Sequence, residues 1–136
     1  MRKAIYMAAV ALVAIAASQA VAQEKKTLAV VVKGLDNPFF TVLGNGCAKW
    51  NENNPTSEYT CLYTGPALSS DEAGEVQLVA DLLARPDVAG IAISPSNAPA
   101  MAAMLKEKAP TIPIMTIDAD LLPEDHGLRK TYLGTY

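Results

Sequence analysis

The residues able to do chemistry fall in four short stretches, each directly after an apolar run. The first is Lys33-Gly34-Leu35-Asp36-Asn37-Pro38-Phe39-Phe40, and the second runs from Thr64 to Ser70. The third is Ser94 to Asn97, and the fourth holds Asp118 and Asp120. Together they supply a cation, amides, hydroxyls, carboxylates and two rings. Carboxylates and amides bond to vicinal hydroxyls, and an aromatic face covers the C–H side of a sugar ring. That set suits a neutral sugar or polyol better than a phosphate.

Each of these residues also has a plainer role open to it. Asp118 can cap the loop after its strand, as Asp often does. Asp120 can be a solvated loop carboxylate, Lys33 a charged strand end, and Ser94 the start of a Ser-Pro turn. Trp50 reads as a packing residue and His126 as a surface loop residue.

Signatures of catalysis are missing. No G-x-G-x-x-G follows the first apolar run, and neither a G-x-x-x-x-G-K-[ST] loop nor a G-x-S-x-G elbow occurs. Asp118 and Asp120 have the chemistry of an acid/base pair, but no nucleophile or metal ligands accompany them. No cofactor is expected. A zinc site is disfavoured, because the single histidine, His126, is far in sequence from both cysteines.

The elements that must position these groups alternate. Leu28–Lys33 reads as a first strand, followed by a helix with Phe39, Leu43, Cys47 and Trp50 on one stripe. Asn37 stands where an N-cap belongs and Pro38 suits the first turn. One of the two rings is expected to face the core and the other to lie open. Tyr59–Tyr63 alternates and is placed at the sheet edge. Ser69-x-x-Glu72 reads as a capping box for a second helix burying Val76, Val79, Ala80 and Leu83. Val88–Ser94 is apolar throughout and expected at the centre. Ser96-Asn97 can cap a third helix, with Met101, Met104 and Leu105 inward as core filler. Ile112–Ile117 is a fourth strand, Leu121 to Lys130 a polar loop, and Lys130–Gly134 a fifth strand. The pattern predicts an α/β fold: a doubly wound parallel sheet with helices on both faces. Ligands of such sheets bind beyond the carboxyl ends of the strands, where the four stretches fall.

The first 22 residues are read apart. Arg2 and Lys3 form a basic start, Met7 to Ala17 an apolar segment, and Ala20-Val21-Ala22 a small-x-small site. This predicts a secretory signal peptide over 1–22, cleaved after Ala22, with a mature domain from residue 23 to 136. Cleavage takes away two positive charges and no acid, moving the net charge from -3 to -5. An acidic mature chain argues against a nucleic-acid partner. Export also brings Cys47 and Cys61 into an oxidising compartment, where they either form a disulfide or stay as buried free thiols.

These segments together resemble a family: periplasmic solute-binding proteins of sugar ABC transporters, of the ribose-binding-like type. The resemblance runs from Thr27 to Thr135. It is carried by Leu28 to Phe40, Tyr63-Thr-Gly-Pro66, Val88 to Pro95, Ile112 to Asp118 and Tyr132-Leu-Gly-Thr135. It implies the N-terminal lobe of a protein whose two lobes, joined by a hinge, close on ligand between them, with the periplasmic binding protein-like I fold. It also implies periplasmic location, a monomer, a sugar ligand and a membrane permease as partner. By the resemblance Asn37 bonds ligand hydroxyls, Phe39 and Phe40 contact the ring, Asp118 clamps two hydroxyls, and Ser94 is a further contact. Lys33 stands where the ribose type has a small hydroxyl residue, and Ala119 where it has an arginine. Lys33, with Tyr63-Thr-Gly-Pro66 and the Asp118-Ala119-Asp120 ending, is more similar to the rhamnose-binding and furanosyl-autoinducer-binding branch. The sequence stops near the family's first crossover, so the second lobe is expected to be missing and binding by this chain alone to be weak. Two other readings stay open: a periplasmic sensing domain feeding a chemoreceptor or kinase, and a secreted hydrolase completed by residues elsewhere.

Overall fold

The computed structural model describes residues 24–134. The expected signal peptide and its cleavage after Ala22 lie outside the described residues. Five strands form one parallel sheet: β1 (Lys26–Val31), β2 (Tyr59–Thr64), β3 (Val88–Ile93), β4 (Ile114–Ile117) and β5 (Thr131–Leu133). Their spatial order is β2-β1-β3-β4-β5. The half-buried β2 is at an edge and the apolar β3 at the centre, as the sequence predicts.

Three helices connect them: α1 (Thr41–Asn53), α2 (Glu72–Leu83) and α3 (Ala98–Lys108). The chain steps one way across the sheet from β1 to β2, then back through β3 to β4. Right-handed crossovers therefore put α1 on one face and α2 with α3 on the other. The α2/α3 face holds the main core, in which Ala29, Val31, Ile91 and Ile93 meet Val79, Leu82, Met101 and Leu105. On the other face α1 leaves part of the sheet uncovered. A groove of ≈ 430 Å³ there is lined by Leu28, Val30, Trp50, Gly90, Ala92 and Met115, among others.

Several local expectations shift. Asn37 caps a short 3-10 turn, Pro38–Phe40, by accepting the Phe39 N–H at 3.0 Å, and α1 begins only after that turn. Ser69 does not cap α2. Asp71 does, accepting the Gly74 N–H at 2.9 Å, because Ser69 is drawn away to Asp36. Asn97 caps α3 by accepting the Ala100 N–H. The stretch 121–130 contains a 3-10 segment, Pro123–Leu128, rather than loop alone.

Cys47 of α1 and Cys61 of β2 are joined in a disulfide with Cα atoms 5.3 Å apart. Beside it, Asn51 accepts the Cys61 N–H at 2.8 Å and donates to the Cys61 carbonyl at 2.9 Å. Helix and edge strand are thus fastened twice, which offsets the weakness of an unpaired sheet edge.

Candidate functional site

At the carboxyl edge of the sheet the loops after β1 and β2 lie against each other. Asp36 accepts both the Ser69 N–H (2.8 Å) and the Ser69 hydroxyl (2.6 Å). The Ser69 hydroxyl bond, the leading cause, holds the Asp36 carboxyl below its ordinary range. Gly34 makes the approach possible: a Cβ there would sit 2.4 Å from the Ser69 nitrogen. Lys33, Asn37 and Phe39 are carried on this braced loop.

The centre of the edge is built around Asp118. Its Oδ2 accepts the Ser94 hydroxyl at 2.9 Å and lies 3.1 Å from Lys33 Nζ. Ser94 directly follows β3 and is fully buried, its own N–H given to the Val31 carbonyl at 2.9 Å. Asp118 directly follows β4 and takes a left-handed conformation, φ 60°. Asp tolerates that region better than most residues, yet it remains a sparsely populated one, of the kind found at ligand clamps. The turn is held from β5: Asp118 donates its N–H to the Leu133 carbonyl, and Tyr132 donates its hydroxyl to the Asp118 carbonyl, both at 2.9 Å. Among the described residues no hydrogen bond engages Asp118 Oδ1. With both side chains 31% exposed, Lys33 and Asp118 offer one donor and one acceptor side by side to a ligand.

The two rings divide as expected. Phe40 is 1% exposed and Phe39 is 62% exposed, and they meet edge to face with centroids 5.1 Å apart. Phe40 thus belongs to the packing beneath the edge, while Phe39 presents an open ring. Phe39, Val42, Leu43, Ile117 and Leu133 line a hollow of ≈ 290 Å³ that also reaches Asp118.

Asp120 stands in a different cluster. Arg129 grips it with two bonds, at 2.7 and 2.6 Å, and Thr116 and the Leu121 N–H add two more. His126 Nε2 is 3.2 Å from the same carboxylate. The Arg129 bonds, opposed by some desolvation, hold its carboxyl down at about 2. Asp120 thereby ties the loop after β4 to the approach to β5, and through it the Asp118 turn. The structure thus brings together Lys33, Ser94 and Asp118, sets Asn37 and Phe39 beside them on one edge, and gives Asp120 a bracing partner.

One residue of this edge was not visible in the sequence. Glu75 of α2 is 0% exposed, and its Oε2 accepts the Ser96 N–H at 2.9 Å and the Ser96 hydroxyl. It reads in sequence as one more acidic residue in a first turn, and only its i+4 spacing to Val79 hints at the buried stripe.

Among the described residues, no group of three or more His, Cys, Asp or Glu is placed to hold a metal ion. No described helix is long and apolar enough to cross a membrane.

Comparison with known proteins gives the same outline. No curated protein is similar enough to match. An ABC-transporter solute-binding protein from Agrobacterium vitis, solved with bound D-fucose, superposes with a TM-score of 0.69 at 26% identity, over 80% of this chain and 37% of its own. One from Burkholderia multivorans, with an unknown ligand built as α-D-erythrofuranose, gives 0.67 at 25% identity, over 76% and 36%. LsrB from Clostridium saccharobutylicum in complex with AI-2 shares the fold, with a TM-score of 0.65 at 23% identity, over 78% and 30%. The chain therefore spans about a third of the length of these proteins. Its sheet and helices are those of the first lobe of the periplasmic binding protein-like I fold. The family model described as a periplasmic binding protein domain matches residues 28–135, nearly the whole of the described fold, and the chain belongs to that family.

Proposed function

We propose that this chain forms the first lobe of a periplasmic receptor that binds a monosaccharide or related polyol and delivers it to an ABC-transporter permease. The observation that carries this reading is the Asp118 cluster. One carboxylate oxygen is fixed by Ser94 and Lys33, the other has no hydrogen bond among the described residues, and Asp118 and the open Phe39 ring line one hollow. Asp118 Oδ1 and Lys33 Nζ then take two neighbouring ligand hydroxyls, and Phe39 covers the C–H face of the ring. Asn37, whose side-chain oxygen is used in capping, keeps its amide N–H groups for a third hydroxyl. A second lobe closing over this edge dries the site, strengthening each of these bonds. The chain's own residues supply binding and orientation, with no bond made or broken. The disulfide fits an oxidising compartment, and the solved relatives with D-fucose and with a ligand built as a furanose support a sugar as ligand.

The test is a thermal-shift screen of the protein expressed from its complete reading frame, against pentoses, deoxyhexoses, inositols and amino acids. A ligand at a hundred times its dissociation constant adds about 2.7 kcal/mol of stability, which is readily detected. A shift with one sugar class, lost in Asp118→Ala, is the expected result. Silence across the sugars with a response to amino acids refutes the substrate class and leaves the fold untouched.

A further inference from the structure

The turn joining β3 to α3 carries Ser94 at one end and the α3 cap Asn97 at the other, and two acids of α2 hold it: Glu72, exposed, accepts from the Asn97 amide at 2.8 Å, and Glu75 is buried against Ser96. Glu75 reaches it from α2 with no exposure to solvent. Its Oε2 accepts both the Ser96 N–H and the Ser96 hydroxyl. Its Oε1 is buried with no hydrogen-bond partner among the described residues. An ionised carboxylate has about four acceptor sites to fill, so half of this one is left unsatisfied.

The charged groups that face Glu75 come from two elements. Lys33, in the loop after β1, lies near enough for its charge to favour the ionised acid, and Glu72 on α2 itself opposes it. Burial, the leading cause and aided by Glu72, outweighs the Ser96 bonds and Lys33 and pushes the Glu75 carboxyl above the ordinary carboxylate range. The Lys33 charge is thus felt by two acids: Asp118, 3.1 Å away on the cleft surface, and the buried Glu75.

We infer that Glu75 is a positioning residue for the cleft: its ionised carboxylate fixes the 94–97 turn and serves as a second, buried counter-charge to Lys33, so that the cleft tightens or loosens with pH. The physical chain is short. When Glu75 is ionised, Ser96 donates twice to it, the turn is pinned, and Ser94 holds Asp118. When Glu75 takes up a proton, the charge that draws the two Ser96 donors is gone and Lys33 keeps Asp118 alone as its partner. Ligand binding removes water from Lys33, and a dehydrated ammonium needs opposite charge more than an exposed one. Binding therefore favours ionised Glu75, and by reciprocity protonation of Glu75 weakens binding. The sign follows: affinity is full above the raised titration range of Glu75 and falls as pH drops through it. Contributions common to wild type and a Glu75 variant cancel in their comparison.

The second half of this inference rests on the receptor reading, and the first half does not, so two measurements are made on the protein from the complete reading frame. The ligand-free arm follows the backbone amide resonances of Ser94 and Ser96 from pH 7.5 downward to about pH 4.5, the range just above the ordinary carboxylate values of about 3.9 to 4.3. Both amides are expected to move together in wild type and to stay flat in Glu75→Gln, which keeps the side-chain shape and an acceptor oxygen. Ser96→Ala removes the hydroxyl donor and keeps the backbone N–H bond to Glu75, so the Ser94 response is expected to shrink without vanishing, which keeps the test decisive should Glu75→Gln fold poorly. The ligand arm measures sugar affinity over the same range. Wild type is expected to lose about fivefold or more in affinity relative to Glu75→Gln on acidification, within the ordinary range of site coupling. Coincident affinity profiles, or a Ser94 amide that ignores Glu75, overturn the inference. Amides that track Glu75 in a protein that binds no sugar overturn the receptor reading and leave Glu75 as the control of the turn.

Discussion

Asp118 gives the sharpest prediction, because its backbone, its buried partner and its free oxygen are perturbed differently by three substitutions. Its φ is 60°, a conformation that costs an ordinary L-residue about 1–2 kcal/mol. The Ser94 hydroxyl, on a fully buried residue, depends on it as acceptor, and a buried donor left unpaired costs about 1–3 kcal/mol. Asp118→Ala incurs both terms and is expected to lose about 2–5 kcal/mol of stability. Asp118→Gly escapes the backbone term and should be about 1 kcal/mol more stable than the alanine variant. Asp118→Asn tolerates the left-handed turn and still accepts from Ser94, so its loss should stay within about 1 kcal/mol. The Lys33 contact adds little to any of these, since both side chains are 31% exposed and such pairs are screened. Binding should follow a different order. The asparagine variant loses the charge that accepts ligand hydroxyls, a change of about 1.5–3 kcal/mol, or ten- to over a hundredfold in affinity. Urea unfolding and titration calorimetry on the same preparations separate the two orders. An alanine variant as stable as the glycine variant, or an asparagine variant that binds sugar as wild type does, refutes the reasoning.

Other consequences follow from single features. Replacing Cys47 and Cys61 by Ser opens a loop with a sequence separation of 14. The expected loss is about 3 kcal/mol in urea unfolding, with sugar affinity little changed because the bridge is remote from Asp118. Phe39→Ala, at a side chain 62% exposed, should change stability by less than about 0.5 kcal/mol. The same variant should weaken sugar binding about tenfold in calorimetry, through loss of the ring face. Asp120, held down at about 2 by Arg129, stabilises the fold above the ordinary carboxylate range. That stability, on the order of 2 kcal/mol, should fade as pH falls from about 4 to about 2. Acid unfolding curves of Asp120→Asn should lack this component.

Much of the architecture is legible because one physical rule carries it. Apolar runs bounded by polar turns at strand spacing force a parallel sheet, and the most continuous of them, Val88–Ile93, is the central strand. Asn97 was legible because a cap acts within three residues. Ser69 was not, because its partner Asp36 is 33 residues away and a contact made by folding outcompeted the local one. The α2 stripe is rotated for a similar reason. The periodicity selects Val76, Val79, Ala80 and Leu83, whereas the fully buried line is Glu75, Val79 and Leu82. Hydrophobicity alone cannot place an acid on the buried line; the need of the Ser96 donors for an acceptor does. Asp118 and Asp120, two residues apart, look equivalent in sequence. Only the 3-10 segment Pro123–Leu128, which returns Arg129 to Asp120, separates a braced carboxylate from an available one. Trp50 sits on the expected face of α1, yet it lines the uncovered part of the sheet instead of a closed core.

The most direct test of the central claim is a crystal structure of the protein from the complete reading frame with the sugar that gives the largest thermal shift. The account predicts neighbouring hydroxyls on Asp118 Oδ1 and Lys33 Nζ, and the C–H face of the ring against Phe39. A sugar seated elsewhere, for instance in the apolar groove beside Trp50, with Asp118 and Lys33 untouched, contradicts it.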